Sequence, residues 1–235
     1  MKNKKGKIIE LEGSDCSFKE TNAKALYDYI KENITKKVKI ISFPTYESES
    51  SIFVKKYLKG EYGKIKKVNA YQASVGYAMN RFDTCKELNI EKLVKEGYYI
   101  ILDRYTGSNI LHQIFNIDDY NERVKYISWI LDLEYDKLKL PKPDITLFLS
   151  NHYLIIDDLL KKKKKENKES VKGDITESDD FYQYKAFKNS NLICELLNWE
   201  KIDCYTKAEI GIIKTKNRET IINEIISILK NNFIL

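Results

Sequence analysis

Gly13 and Lys19 stand at the separation that a phosphate-binding loop requires, within the stretch Gly13-Ser14-Asp15-Cys16-Ser17-Phe18-Lys19-Glu20-Thr21. In the pattern GxxxxGK[ST] the glycines let backbone amides approach phosphate oxygens, the lysine meets the outer phosphates, and the hydroxyl reaches magnesium. Phe18 stands where the second glycine belongs and Glu20 where the hydroxyl belongs, with Thr21 next to supply a displaced one. A β-carbon in the left-handed conformation costs about 1–2 kcal/mol. A carboxylate such as Glu20 repels a polyphosphate unless a cation intervenes. Two other stretches carry suitable groups: Phe43-Pro44-Thr45-Tyr46, and Asp103-Arg104-Tyr105 at the end of an apolar run. Asp103 suits a carboxylate acting on magnesium through water, or else a cap or an ion-pair partner for Arg104.

The elements that must position these groups follow from periodicity. Ile8, Ile9 and Leu11 predict a short strand before the loop, and Ala23, Leu26, Tyr27 and Ile30 predict a helix after it that ends near Asn33. Further strands are predicted over Val38–Phe43, Tyr98–Leu102, Ile145–Leu149 and Ile202–Tyr205. Helical patterns cover Ala70–Val94, broken by KELNIEK, then Asn121–Tyr135, and finally Arg218–Asn231 with Ile221, Ile222, Ile225, Ile226 and Leu229 on one side. Strands alternating with helices imply a parallel sheet covered on both faces, whose ligands gather at the carboxyl ends of the strands. All three chemical stretches follow strands and open onto that edge.

A chain of 235 residues with 43% hydrophobic and 12% aromatic content suits one α/β domain over its whole length, residues 1–235. Charged residues are abundant but mixed, and a net charge of +6 does not call for nucleic acid. Cys16, Cys85, Cys194 and Cys204 have neither CxxC spacing nor the density of a disulfide scaffold, which points to the reducing cytoplasm. The basic start MKNKKGK leads into a strand rather than a signal's apolar region, and no run is long enough to span a bilayer, so no membrane partner is expected.

The series EGSDCSFKET, FPTY, YLKGEYG, YAMNRFD, ILDRYTGSN and LPKPDITLFL, in that order from about Lys7 to Leu149, resembles the thymidylate kinases. Those enzymes use ATP to phosphorylate dTMP to dTDP. The resemblance implies a three-layer P-loop nucleotide kinase fold, with a five-stranded parallel sheet flanked by helices and a lid segment over about residues 151–180. It also implies ATP as donor, Mg2+ as cofactor and a homodimer.

Residue by residue, Gly13 to Thr21 become the ATP-binding loop, with Lys19 on the β and γ oxygens. Asp15 matches the loop aspartate that contacts the acceptor sugar and the magnesium environment. With Asp103 it makes up the expected metal pair, and Lys19, Asp15, Asp103 and Arg104 the catalytic set. Arg81 and Arg104 match arginines that grip the acceptor phosphate. Phe43, Pro44 and Tyr46 close the acceptor side, Tyr77 stacks on the base, Ser108 and Asn109 address the base edge, and His112 stands where an aromatic ring is usual. From the residues alone, Arg81 also suits a solvated helix face and Tyr77 a core ring. The expected lid holds Lys161 to Lys165 and no arginine, and such a run also suits a solvated face. The altered loop leaves open a weak or inactive nucleotide-binding relative with a regulatory role, or a kinase for another deoxynucleoside monophosphate.

Overall fold

Apolar runs bounded by polar residues assemble into one parallel sheet because burial on both faces leaves their backbone groups only one another as partners. The computed structural model describes residues 5–13, 16–63, 67–114, 117–166, 190–207 and 213–235. In chain order these form β1 (Ile8–Gly13), α1 (Lys19–Asn33), β2 (Val38–Ser42), α2 (Ile52–Leu58), α3 (Ala70–Glu87), α4 (Ile90–Lys95), β3 (Tyr99–Asp103), α5 (Thr106–Gln113) and α6 (Tyr120–Leu131). There follow β4 (Ile145–Ser150), α7 (Tyr153–Glu166), helical residues 190–197 (α8), β5 (Glu200–Asp203), β6 (Tyr205–Lys207), β7 (Ile213–Thr215) and α9 (Arg218–Asn231). The sheet order is β2-β3-β1-β4-β5, every pair parallel, with β6 and β7 forming a separate antiparallel hairpin.

Alternation along β1 sorts the layers. Ile9 and Leu11 join Leu26 and Ile30 of α1 and Ile221, Ile225 and Leu229 of α9 in one core. Burying each of those α9 side chains contributes about 1.5–3 kcal/mol. On the opposite face Ile8, Ile100 and Leu102 pack with Cys85, Ile90, Val94 and Tyr105, while Phe148 packs with Ile110, Ile127, Ile130 and Ile193. The result is three layers, helices on either side of five parallel strands. Glu10 and Glu12 share that second face of β1, and both are buried.

Local chemistry sets the helix boundaries. Asn69 caps α3 in a reciprocal box with Gln72, and Asn217 caps α9 by accepting from the Thr220 amide. KELNIEK interrupts the helical pattern as expected: α3 stops at Glu87, and left-handed Asn89 caps α4. Two boundaries differ from the sequence reading. The expected strand Ile202–Tyr205 divides at Cys204, whose amide donates to Ser150 O (2.7 Å) while its carbonyl accepts from the Lys216 amide (2.9 Å). Asp203 therefore closes the sheet and Tyr205 opens the hairpin. The helix expected to run to Tyr135 ends as α6 at Leu131 and passes into a π-helical turn, Asp132–Lys137, that carries Glu134 inward to zero exposure.

Among the described residues, no helix is long and apolar enough to cross a membrane. The expected lid begins within α7, where Lys161 and Lys162 are exposed and Lys161 pairs with Asp157 at 2.5 Å. Its continuation over 167–180 lies outside the described residues.

Candidate active site

The loops after β1, β2 and β3 open on one edge because those strands are neighbours, and backbone hydrogen bonds tie them together. The Phe43 amide donates to Asp103 O (3.0 Å) and the Arg104 amide to Leu11 O (3.1 Å). A cis peptide joins Phe43 to Pro44.

In the phosphate loop, a β-carbon on Gly13 would lie 2.4 Å from Leu149 O and 2.5 Å from Ser17 Oγ, so only glycine fits there. Lys19 is the first residue of α1 and is buried, its Nζ donating to Gly13 O (2.9 Å) and Ser17 Oγ (3.1 Å). The ammonium is thus folded back across the loop. Asn151, just past β4, donates through Nδ2 to Cys16 O (3.1 Å) and braces the loop from the next strand. Ser14 and Asp15, expected in the ATP and metal sites, lie outside the described residues.

Phe18 takes the left-handed conformation, φ 62° and ψ 26°, at the N-cap of α1. That is the conformation the pattern's second glycine would supply freely. Cys16 is also left-handed, at φ 54°. Glu20 is exposed in the first turn of α1, where a carboxylate complements the helix dipole. Thr21 is exposed, and its carbonyl accepts from Arg218.

Asp103 ends β3 almost buried, with Ser42 Oγ donating to Oδ2 at 3.4 Å. Arg104 is left-handed as well, φ 64°, a conformation a non-glycine residue holds only when its surroundings fix it. Here the fixing group is Glu12. Its Oε1 accepts from the amides of Tyr105 (2.7 Å) and Ser108 (2.8 Å), and its Oε2 accepts from Ser108 Oγ (2.6 Å). Strand β1 thereby caps α5 with a carboxylate, so Ser108, expected at the base edge, has its hydroxyl directed to Glu12. Arg104 Nη1 lies 3.1 Å from His112 Nε2. A guanidinium can only donate, so Nε2 accepts and the ring proton belongs on Nδ1.

The FPTY turn is held by Asn80 of α3. Its Oδ1 accepts from the Thr45 amide (2.8 Å), and its Nδ2 donates to Thr45 O (3.2 Å) and Ser50 Oγ (3.0 Å). Phe43 is buried and stands 5.3 Å from the Tyr105 ring, while Tyr46 is exposed. Tyr77 is half-buried and meets Tyr57 edge-on, so part of its ring belongs to a small core with Val68 and Ala73.

Arg81 is not on a solvated face; it is buried. Its Nε donates to Glu134 Oε2 (2.7 Å) and its Nη2 to Glu134 Oε1, so the fork expected to face the acceptor phosphate grips a carboxylate instead. Burial opposes the charge on Arg81, but the Glu134 carboxylate more than offsets this and raises the guanidinium above its ordinary value. Asn109 donates through Nδ2 to Ser74 O and Glu134 Oε1, both at 3.1 Å. Its buried Oδ1 has no hydrogen-bond partner among the described residues.

Glu12, Asn80, Glu134 and Asn151 escaped the sequence reading. The one local signal for the first was an acidic residue recurring at alternate positions of an apolar strand; the others touch the site only through tertiary contacts. Among the described residues, no cluster of three or more ligating side chains forms a ready metal site.

A family model described as thymidylate kinase matches residues 11–210. The thymidylate kinase of Plasmodium falciparum is 29% identical over 149 residues, covering 63% of this chain and 62% of that protein. That of Mycobacterium tuberculosis is 27% identical over 144 residues, 61% and 65% of the respective lengths. The chain thus spans less than two thirds of either relative. A putative thymidylate kinase of Invertebrate iridescent virus 6 is 26% identical over 221 residues, 94% of this chain and 89% of that one. In the solved structures, thymidylate kinase from Candida albicans matches with a TM-score of 0.68 at 23% identity, covering 98% of this chain and 93% of that one.

Proposed function

The chain belongs to the thymidylate kinase family, and from that premise we propose that it transfers the γ-phosphoryl group of ATP to dTMP, giving dTDP and ADP. The observation that carries the reading is the joining of a lysine-bearing phosphate loop to an Asp-Arg turn, through Arg104 N on Leu11 O, on neighbouring parallel strands. Phosphoryl transfer between two anions needs positioning and neutralisation more than covalent help. Lys19 moves from Gly13 O and Ser17 Oγ onto the β and γ oxygens of ATP, and the amides of Cys16 to Lys19, at the N-terminus of α1, face the same phosphates. Arg104, pre-set by Glu12 and His112, meets the acceptor phosphate. Tyr77 and Phe43 flank the acceptor base, and Asn109 Oδ1 is available to accept a hydrogen bond from it.

Magnesium, bound with ATP, would supply neutralisation of the phosphate charge. Asp103, a hard oxygen donor at the carboxyl end of β3, would fit a water-mediated contact with the ion, and Asp15, in the loop after β1, is the second expected carboxylate. The remaining expectations travel with this reading: one folded unit with residues 151–180 as lid, a homodimer, and a cytoplasmic location suited to four free thiols.

Release of ADP, measured by a coupled assay with MgATP against dTMP, dUMP, dCMP, dGMP and thymidine, tests it. Turnover should be highest with dTMP and absent with thymidine. Measurable nucleotide binding without turnover of any acceptor would refute the enzyme reading.

A further inference from the structure

We propose that Glu134 is a positioning residue that sets which edge of the acceptor base the site can read; this rests on the nucleotide-kinase reading above. Glu134 has zero exposure, on a π-helical turn, and a widened turn of that kind projects a side chain where regular α-helix would not. Its carboxylate gathers donors from two other helices. Arg81 Nε and Nη2 come from α3, and Thr106 Oγ1 (2.7 Å) and Asn109 Nδ2 (3.1 Å) from α5.

Two properties of this arrangement bear on recognition. A buried ion pair adds little stability over apolar packing of the same volume, because desolvating both ions cancels most of their attraction. It does, however, fix orientation. The Glu134 carboxylate and the Ser74 carbonyl both only accept, so Asn109 must turn its Nδ2 towards the two of them and cannot flip. The Asn109 oxygen is then committed as an acceptor, and it is the atom left buried without a partner among the described residues. Beside it Arg81, bonded to the same carboxylate, offers only donors. An acceptor next to a donor complements an imide edge, an N–H beside a C=O, as in thymine or uracil. It opposes an amidine edge, a bare ring nitrogen beside an amino group, as in cytosine. Glu134, together with the Ser74 carbonyl, thus holds the sign of the pattern without touching the base, and among the described residues it alone ties Asn109 to Arg81.

Glu134→Gln tests this, because a side-chain amide can turn an N–H against Asn109 and Arg81, leaving only the Ser74 carbonyl to hold the Asn109 amide. The KM for dTMP should rise, and the preference for dTMP over dCMP in kcat/KM should fall, each by about tenfold or more, with the KM for ATP nearly unchanged. Should that variant fail to fold, Glu134→Asp keeps Arg81 and a buried acceptor-only charge beside it but draws the carboxylate back from Asn109. It should likewise lose dTMP affinity by about tenfold or more while retaining ATP. A purely structural role would shift Tm and leave the dTMP to dCMP ratio unmoved. Either folded variant retaining the wild-type KM and ratio would overturn the role of Glu134 alone. A wild type that turns over no acceptor would overturn this inference and the kinase reading together.

Discussion

Lys19 is the residue on which most depends, and its surroundings explain why. A buried ammonium is tolerated only where oxygens meet it, and Gly13 O and Ser17 Oγ do so here. Both are weak partners beside a triphosphate, so the side chain exchanges them readily. Lys19→Ala should lower kcat by about 10²–10³-fold, the usual effect of removing one group that stabilises charge in the transition state. Lys161→Ala, which removes an exposed ammonium that pairs with Asp157, should change kcat by less than about twofold. Equal losses in a coupled ADP assay would contradict the role given to Lys19. Phe18 shows what a single position can carry: the pattern's glycine site is left-handed here even without glycine.

At the scale of elements, the acceptor side is assembled by ties between helices and turns rather than by the turns themselves. Asn80 satisfies both backbone groups of Thr45 across more than thirty residues of chain, and Thr84 Oγ1 adds a bond to Thr45 Oγ1 at 2.9 Å. Asn80→Ala leaves a part-buried amide and carbonyl of Thr45 without their side-chain partner, which costs up to about 1–3 kcal/mol. For a chain of this size each kcal/mol lowers Tm by about 2–4 °C. The same substitution should raise the KM for dTMP several-fold and leave the KM for ATP alone, because the phosphate loop hangs from β1 and β4 instead. Thermal scans and two-substrate kinetics separate the effects; a parallel rise in both KM values would show that the FPTY turn is not held independently.

For the whole molecule, the central strand carries a pH dependence. Glu10 is buried, its Oε1 accepting from the Gly107 amide (3.0 Å) and its Oε2 from Thr146 Oγ1 (2.6 Å). Burial, and after it the neighbouring Glu12, push its carboxyl well above the ordinary 4.5. The folded chain therefore holds this proton more tightly than the unfolded chain. The stabilising contribution is complete below the ordinary value and is lost as pH rises through the folded one. Glu10→Gln cannot ionise and escapes that loss. Its Tm, measured against wild type from acid to neutral pH, should gain steadily on the wild type as pH increases. A constant difference would mean that Glu10 ionises normally in the folded chain.

Much of the fold was legible because it rests on local rules. Apolar runs of strand length, three- and four-residue periodicity in α1 and α9, and the break at KELNIEK each reflect interactions within a few residues. The placement of FPTY and DRY beside the phosphate loop followed from parallel topology alone. What remained hidden depends on partners far apart in the chain. Glu12 looks like part of an apolar strand until α5 lies over it, and Arg81 like a surface arginine until a π-helical turn brings Glu134 to it from fifty-three positions away. A side chain's type determines which bonds it can make, and that much the sequence alone determined. Which of them it does make is decided by the groups that burial brings within reach, and only the tertiary structure supplies those.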